Sequence, residues 1–279
     1  MLGRGAGAGS NIVRLGEASA QKSLSHAILQ ACSAAHRNPQ QISRTCIGIA
    51  GGTSQQVSAA VRKIVSEIVA GEIEIVGDMV IALHAAFGLA PGVIVIAGTG
   101  SIAYGRNSDG DTSRAGGWGF AISDEGSGHW IGRAAIAAIL RSYDEGKQTG
   151  LLESILNVWC LDGGEQLVLA ANAVPAPNFA ALFPAIMAAA DAGDALARQV
   201  LEEAGRELSG LAKVVIGRLF RQGQTANIAM AGSVLANSEI VREAFSKSLT
   251  AQHATAAVGR VIVDPVEGAL ALARKTKTQ

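Results

Sequence analysis

The chain has 279 residues, a length that suits about two domains. Its 23 Lys and Arg residues balance 23 Asp and Glu residues, so it lacks the basic footprint of nucleic-acid or acidic-membrane binding. The composition, 49% hydrophobic and 16% charged, excludes extended disorder. No apolar run reaches the roughly 18 residues of a membrane helix, and MLGRGAGAGSN is not a signal peptide. We expect a cytoplasmic protein without nucleic-acid or membrane partners.

The first third of the chain alternates between predicted helices and strands. In chain order these are a helix over 17–36, a strand over 44–50, a helix over 54–70, a strand over 72–76 and a helix over 79–88. This alternation is typical of an α/β fold. Pro91-Gly92 then mark a break, which predicts an N-terminal domain over 1–90.

The remainder, 91–279, is predicted as a second α/β domain with a helical insertion, whose last helix packs back toward the first domain. The expected elements are strands at 93–97 and 102–106, a helix from Ser123-Asp124-Glu125 to about 142, mostly helix up to 219, a strand over 226–232, a helix over 238–252, a strand over 260–263 and a helix after Pro265.

The 34 glycines, about 12% against a usual 7%, cluster at 3–9 and at the ends of apolar runs, which suggests a phosphate or sugar site. In VIVIAGTGS, the glycines around Thr99 allow backbone N–H groups to form an anion nest, and Thr99 and Ser101 add hydroxyls. A plain β-hairpin turn explains the same residues equally well.

Asp78 follows a predicted strand and begins a predicted helix. An N-cap is the simpler explanation, and a general base at the carboxyl end of a strand is the alternative. In AGGWGFAISDEGSGHWIG (115–132), Asp124 and Glu125 also precede a helix and are possible caps. A tryptophan among glycines followed by a carboxylate equally suits sugar recognition, because the ring covers an apolar face and the carboxylate accepts from hydroxyls.

The histidines and cysteines do not predict a metal site. No histidine has a partner at metal-ligand spacing, and the three cysteines (Cys32, Cys46, Cys160) are widely separated. We therefore expect these residues to be structural.

Six segments resemble, in order, the BadF/BadG/BcrA/BcrD-type ATPase family and within it the N-acetylglucosamine kinases. They are CIGIAGG (46–52), VGDMVIALHAAF (76–87), VIVIAGTGS (93–101), AGGWGFAISDEGSGHWIG (115–132), MAGSV (230–234) and PVEGALALA (265–273). The resemblance implies a two-domain actin/hexokinase/Hsp70-like ATPase fold with a ribonuclease H-like motif, closing around ATP and a sugar.

The resemblance also implies roles for individual residues. Asp78 resembles the catalytic base that takes the proton of the sugar 6-hydroxyl. The implied sugar contacts are Asn11, Asp78, Thr99, Gly117, Trp118 and Asp124. The implied nucleotide contacts are Gly98, Thr99, Gly100, Ser101, Gly232 and Ser233. ATP would act with Mg²⁺ held by phosphate oxygens and water.

One motif of the family is not found in this sequence. Members begin with a strand and a glycine-rich hairpin of the type Asp-Gly-Gly-Gly-Thr-Lys/Arg, which holds the ATP phosphates, whereas MLGRGAGAGSN resembles the stretch after it. The comparison implies an incomplete N-terminal domain with an open sheet edge. The chain as written is then expected to be weakly active or inactive.

The leading hypothesis is ATP-dependent phosphorylation of an amino sugar, with N-acetylglucosamine as the first candidate substrate. The resemblance also implies a homodimer. One alternative is an ATPase that activates a dehydratase or reductase, although the scattered cysteines do not suit its iron–sulfur cluster. The other alternative is a sugar-binding module that has lost catalysis.

Overall fold

The computed structural model describes residues 1–10, 12, 16–50 and 54–274. Its contacts form two compact units. The first unit comprises 1–88 and 264–279, and the second comprises 89–263.

The first unit has two parallel strands, four α-helices and a short 3-10 helix (Pro39–Gln41) among its described residues. The strands and α-helices are named in chain order. They are α1 (Glu17–Ala34), β1 (Arg44–Ile49), α2 (Gln55–Ser66), β2 (Glu72–Gly77), α3 (Asp78–Phe87) and α11 (Pro265–Arg274). Val61, Val65 and Val69 form its buried centre, because their spacing places them on one side of α2 and the turn after it. The last helix, α11, packs on α3, and Gly268 leaves room there for the Ile81 carbonyl.

The N-terminal segment lies along α1. Gly3, Gly5 and Gly7 are so close to the α1 backbone that a Cβ at any of them would overlap Ala31, Ala27 or Ser23. The backbone N–H of Ala6 also donates to Gln30 Oε1 at 2.7 Å. These three glycines of the 3–9 cluster thus serve close packing on a helix, and the structure gives them a reason other than a bound phosphate or sugar.

The second unit is built around a five-stranded sheet in the order β5-β4-β3-β6-β7. Its strands are β3 (Gly92–Ala97), β4 (Ser101–Arg106), β5 (Thr112–Gly116), β6 (Ala226–Ala231) and β7 (Ala256–Ile262). β3, β4 and β5 pair antiparallel, whereas β6 is parallel to β3 and β7 is parallel to β6. β3 is central and buried along almost its whole length, as expected for the apolar run VIVIA.

Helices fill the rest of the second unit. They are α4 (Gly128–Asp144), α5 (Gly150–Trp159), α6 (Gly164–Ala171), α7 (Phe183–Asp191), α8 (Ala195–Leu219), α9 (Ser233–Asn237) and α10 (Glu239–Gln252). The long α8 lies against β4 and β5 and against α4, α7 and α10, so it carries much of the core. No single helix among the described residues is long and apolar enough to cross a membrane. Two consecutive helical segments, Phe179–Asp191 and Ala195–Leu219, meet the criterion of length and composition together, but the pair is bent by 120°.

The structure corrects two predicted boundaries and adds one strand. α4 begins at Gly128 and not at 123–125, because Asp124 has a φ of 67° that no helix accommodates. β5 was not predicted, since its residues TSRAG have no apolar alternation. β7 begins at Ala256, four residues before the predicted strand.

Candidate active site

Asp78 stands at the junction of β2 and α3 in the first unit. It is the first residue of the helix, and Gly77 occupies the N-cap position. The interpretation of Asp78 as the N-cap is therefore wrong by one residue. Its Oδ1 accepts a hydrogen bond from the Met79 backbone N–H at 2.9 Å, which fixes the carboxylate at the carboxyl end of β2.

Burial raises the pKa of Asp78 above its ordinary value of 3.8, and backbone N–H groups of Met79 and Asp78 oppose that rise. Desolvation dominates because a charged carboxylate loses more hydration than two backbone donors replace. A half-buried carboxylate with a raised pKa is a stronger base than a solvated one, which suits proton abstraction.

The second unit brings the segment Gly98–Ser101 to the tip of a hairpin between β3 and β4. The turn is closed by a hydrogen bond from Gly98 N to Gly100 O at 2.9 Å, and Thr99 is exposed at its tip. The hairpin explanation of this motif is correct as to backbone geometry. A hairpin tip with an exposed hydroxyl and two glycines still permits a phosphate or hydroxyl to approach the backbone closely.

Neither Asp124 nor Glu125 is a helix cap. Ser127 caps α4, since its Oγ accepts from Trp130 N at 3.2 Å. The Asp124 carboxylate instead accepts from the backbone N–H groups of Ser101 and Gly119, and the residue is only 7% exposed. Burial raises its pKa; those two donors oppose the rise and the charge of Glu125 adds to it.

The hairpin turn and the segment 123–128 are in direct contact. Ser101 Oγ donates to the Glu125 carbonyl at 2.7 Å, and Gly128 N donates to the Gly98 carbonyl at 2.8 Å. A Cβ on Gly100 would lie 2.8 Å from Asp124 Oδ2. Two motifs that the sequence assigned to different ligands are thus one cluster.

Gly232 and Ser233 lie beside the same turn, at the end of β6 and the start of α9. Gly232 has a φ of 95°, and a Cβ there would overlap the Ala97 carbonyl oxygen. A Cβ on Gly98 would lie 3.8 Å from Ser233 Oγ. The parallel pairing of β3 and β6 brings these two glycine turns together at the carboxyl ends of both strands, where ligands bind in α/β folds.

Trp118 is 65% exposed, and the Arg114 guanidinium lies 4.1 Å from its ring centroid. The cation covers one face of the ring and holds it in place with about 0.5–1 kcal/mol at an exposed position. Gly117, beside Trp118, is also exposed. Sequence reasoning missed Arg114, because nothing in the sequence signals that β5 would place its side chain on the tryptophan.

The candidate residues thus fall into two groups. Asp78 belongs to the first unit, whereas the second unit holds the other described candidates: Gly98, Thr99, Gly100, Ser101, Gly117, Trp118, Asp124, Gly232 and Ser233. Asn11 lies outside the described residues. In the described part of the chain no three His, Cys, Asp or Glu side chains gather as metal ligands would.

The fold and the sequence both match known proteins. A Chromobacterium violaceum structure described as a candidate N-acetylglucosamine kinase superposes with a TM-score of 0.73 at 23% identity, covering 98% of this chain and 90% of that one. This likeness confirms the predicted α/β fold of the actin/hexokinase-like ATPases. The model of the BadF/BadG/BcrA/BcrD ATPase family matches residues 1–273, so the chain belongs to that family.

Two curated relatives are similar over most of the chain. An N-acetylmuramic acid/N-acetylglucosamine kinase of Clostridium acetobutylicum is 32% identical over 269 residues, which is 95% of this chain and 88% of the relative. An N-acetyl-D-glucosamine kinase of Dictyostelium discoideum is 29% identical over 240 residues, covering 83% of this chain and 75% of the relative.

Proposed function

We propose that this protein is a kinase that transfers the γ-phosphate of ATP to the 6-hydroxyl of an amino sugar, with N-acetylglucosamine as the first substrate to test. The similarity to amino-sugar kinases over nearly the whole chain supports the reaction class. The observation that carries the proposal is the half-buried Asp78 carboxylate, which the Met79 backbone N–H fixes at the carboxyl end of β2. Burial raises its pKa, which suits a base.

In this proposal the two compact units are the two domains. The first supplies Asp78, which accepts the proton of the sugar hydroxyl as its oxygen attacks phosphorus. The second supplies the sugar contacts Thr99, Gly117, Trp118 and Asp124. Asp124 suits hydroxyl binding, because its carboxylate is fixed by two backbone donors and keeps acceptor capacity for a sugar.

The nucleotide is assigned to the two adjacent glycine turns of the second unit. Gly98 and Gly232 have no side chains to obstruct a phosphate, and the exposed Thr99 and Ser233 offer hydroxyl donors. Mg²⁺ would neutralise phosphate charge in the transfer. Because no carboxylate cluster exists among the described residues, the ion would take most of its ligands from phosphate oxygens and water.

The test is ADP release with Mg²⁺-ATP and a panel of N-acetylglucosamine, N-acetylmuramic acid, glucosamine and glucose. It uses this chain and the longest in-frame version that its gene encodes. We expect release that depends on an N-acetylated amino sugar and saturates with it. Release that is independent of every sugar contradicts the proposal and favours an activator ATPase. Sugar binding without ADP release favours a non-catalytic sugar-binding module.

A further inference from the structure

We propose that Ser101 is a positioning residue, whose hydroxyl ties the segment 123–128 to the hairpin turn and thereby holds Asp124 in place for the sugar. This role differs from the phosphate contact that the sequence motif implies. The inference rests on the proposed function, in which Asp124 binds the substrate.

The hydroxyl of Ser101 already has a partner inside the protein. The residue is 3% exposed, and its Oγ donates to the Glu125 carbonyl at 2.7 Å. A serine hydroxyl has a single hydrogen to donate. A phosphate oxygen would have to break this bond before it could receive that hydrogen.

Two other contacts make the position of Asp124 depend on the turn. The backbone N–H of Ser101 donates to the Asp124 carboxylate, and Gly128 N donates to the Gly98 carbonyl at 2.8 Å. Gly100 faces the carboxylate so closely that a Cβ would lie 2.8 Å from Oδ2 and 3.1 Å from Cγ. The carboxylate therefore lies directly on the turn.

Asp124 itself needs this support. Its φ of 67° is a left-handed conformation that a non-glycine residue adopts at a cost and keeps only where its surroundings hold it. The Ser101 hydroxyl donates its hydrogen bond to the carbonyl of Glu125, the residue that follows Asp124 in the chain. Loss of that bond would let residues 124 and 125 relax together, while the backbone of the hairpin turn stays paired through β3 and β4.

The matched variants are Ser101→Ala and Ser123→Ala. Ser123 Oγ donates to Glu125 Oε2 at 3.0 Å, so it bonds within the segment without reaching the turn. For Ser101→Ala we expect KM for the sugar to rise about fivefold to tenfold, as for one lost hydrogen bond, with KM for Mg²⁺-ATP changed less than about twofold. For Ser123→Ala we expect both constants to change less than about twofold.

Gly100→Ala provides a second route, because it leaves the Ser101 hydroxyl intact and displaces the carboxylate directly. We expect the same rise in KM for the sugar. This variant tests the second premise of the proposal, that the placement of Asp124 on the turn governs sugar affinity, and unchanged KM for the sugar would overturn it.

A rise in KM for Mg²⁺-ATP as large as that for the sugar in Ser101→Ala would overturn the proposal, because it would mark a phosphate contact. Unchanged constants would overturn it too. If the unaltered protein turns over no sugar, the proposed function fails, and amide hydrogen exchange then tests the tether alone. Faster exchange over 123–128 in Ser101→Ala supports the tether, and unchanged exchange refutes it.

Discussion

Two aspartates, Asp78 and Asp124, carry pKa values that burial raises above the ordinary 3.8. Each is held by backbone N–H donors and neither forms an ion pair with the cations of the described residues. Carboxylates that are partly or fully buried without a cationic partner cost stability, and such groups cluster at functional sites. This is the physical reason for placing the chemistry of the molecule on these two residues.

The raised pKa of Asp78 predicts the acid side of the pH–rate profile. A base must be ionised to work, so kcat/KM should fall as the pH drops through the folded pKa of Asp78, which lies above 3.8. The measurement is kcat/KM for the sugar between pH 4 and 8. A profile that stays flat down to the stability limit of the fold would contradict the assignment of Asp78 as the base.

The same shift predicts a stability change for Asp78→Asn. Folding favours the protonated carboxyl, so this contribution is present below the unfolded pKa of about 3.8 and is lost as the pH rises through the folded pKa. Asparagine removes the buried charge. We therefore expect Tm of the variant to exceed that of the unaltered protein at pH 7, with the difference shrinking near pH 4. A lower Tm at pH 7 would be the opposite result.

At the scale of elements, the meeting point of β3 and β6 depends on Gly232. Its φ of 95° and its closeness to the Ala97 carbonyl both exclude a side chain. Gly232→Ala should lower the free energy of unfolding by more than about 1 kcal/mol. Gly210, exposed inside α8 with open space around it, is the matched control, and Gly210→Ala should instead stabilise by about 0.5–1 kcal/mol. Chemical denaturation measures both, and equal effects would refute the packing argument.

Asp194 joins α5 to α8. It caps α8 through Ala197 N at 2.9 Å, and it accepts from Thr149 Oγ1 at 2.6 Å and from Leu151 N at 3.2 Å at the start of α5. Burial would raise the pKa of Asp194, but hydrogen bonds to its carboxylate outweigh burial and lower the pKa. The donors are Thr149, Ala197, Leu151 and Leu196. The stabilisation is therefore present above the unfolded pKa and is lost as the pH falls through the folded one.

Asp194→Ala should lower the free energy of unfolding at pH 7 by about 1–3 kcal/mol, because several donors lose their acceptor. Asp191→Ala, an exposed aspartate at the end of α7, should change it by less than about 0.5 kcal/mol. Thermal unfolding at pH 7 and near pH 3 measures both. A cost for Asp194→Ala that does not shrink in acid would contradict the assigned bonds.

The elements show what the sequence could predict. The apolar run VIVIA predicted β3, because a central strand is buried on both faces. The spacing of Val61, Ile64 and Val65 predicted α2, because a helix buries one face at a regular spacing. Asp124 and β5 escaped prediction. The first adopts a left-handed conformation set by contacts distant in sequence, and the second is a polar strand stabilised by pairing with β4. The contact of Gly100 with Asp124 also escaped, since no local pattern encodes it.

At the scale of the whole molecule, each compact unit contributes a different kind of group to the proposed reaction. The first contributes a base at the end of β2, and the second contributes adjacent glycine turns and an anchored carboxylate. Family membership extends over residues 1–273 and thus includes both units. The proposal therefore concerns the whole chain and not one isolated motif.

The most direct test compares sugar phosphorylation and sugar binding in Asp78→Asn and in Glu67→Gln, an exposed acid of the same unit. We expect Asp78→Asn to lower kcat for N-acetylglucosamine by about 10²–10⁴-fold, the usual contribution of a general base, while calorimetry still detects sugar binding. Glu67→Gln should retain the activity. Sugar-dependent turnover by Asp78→Asn at the rate of the unaltered protein would contradict the account.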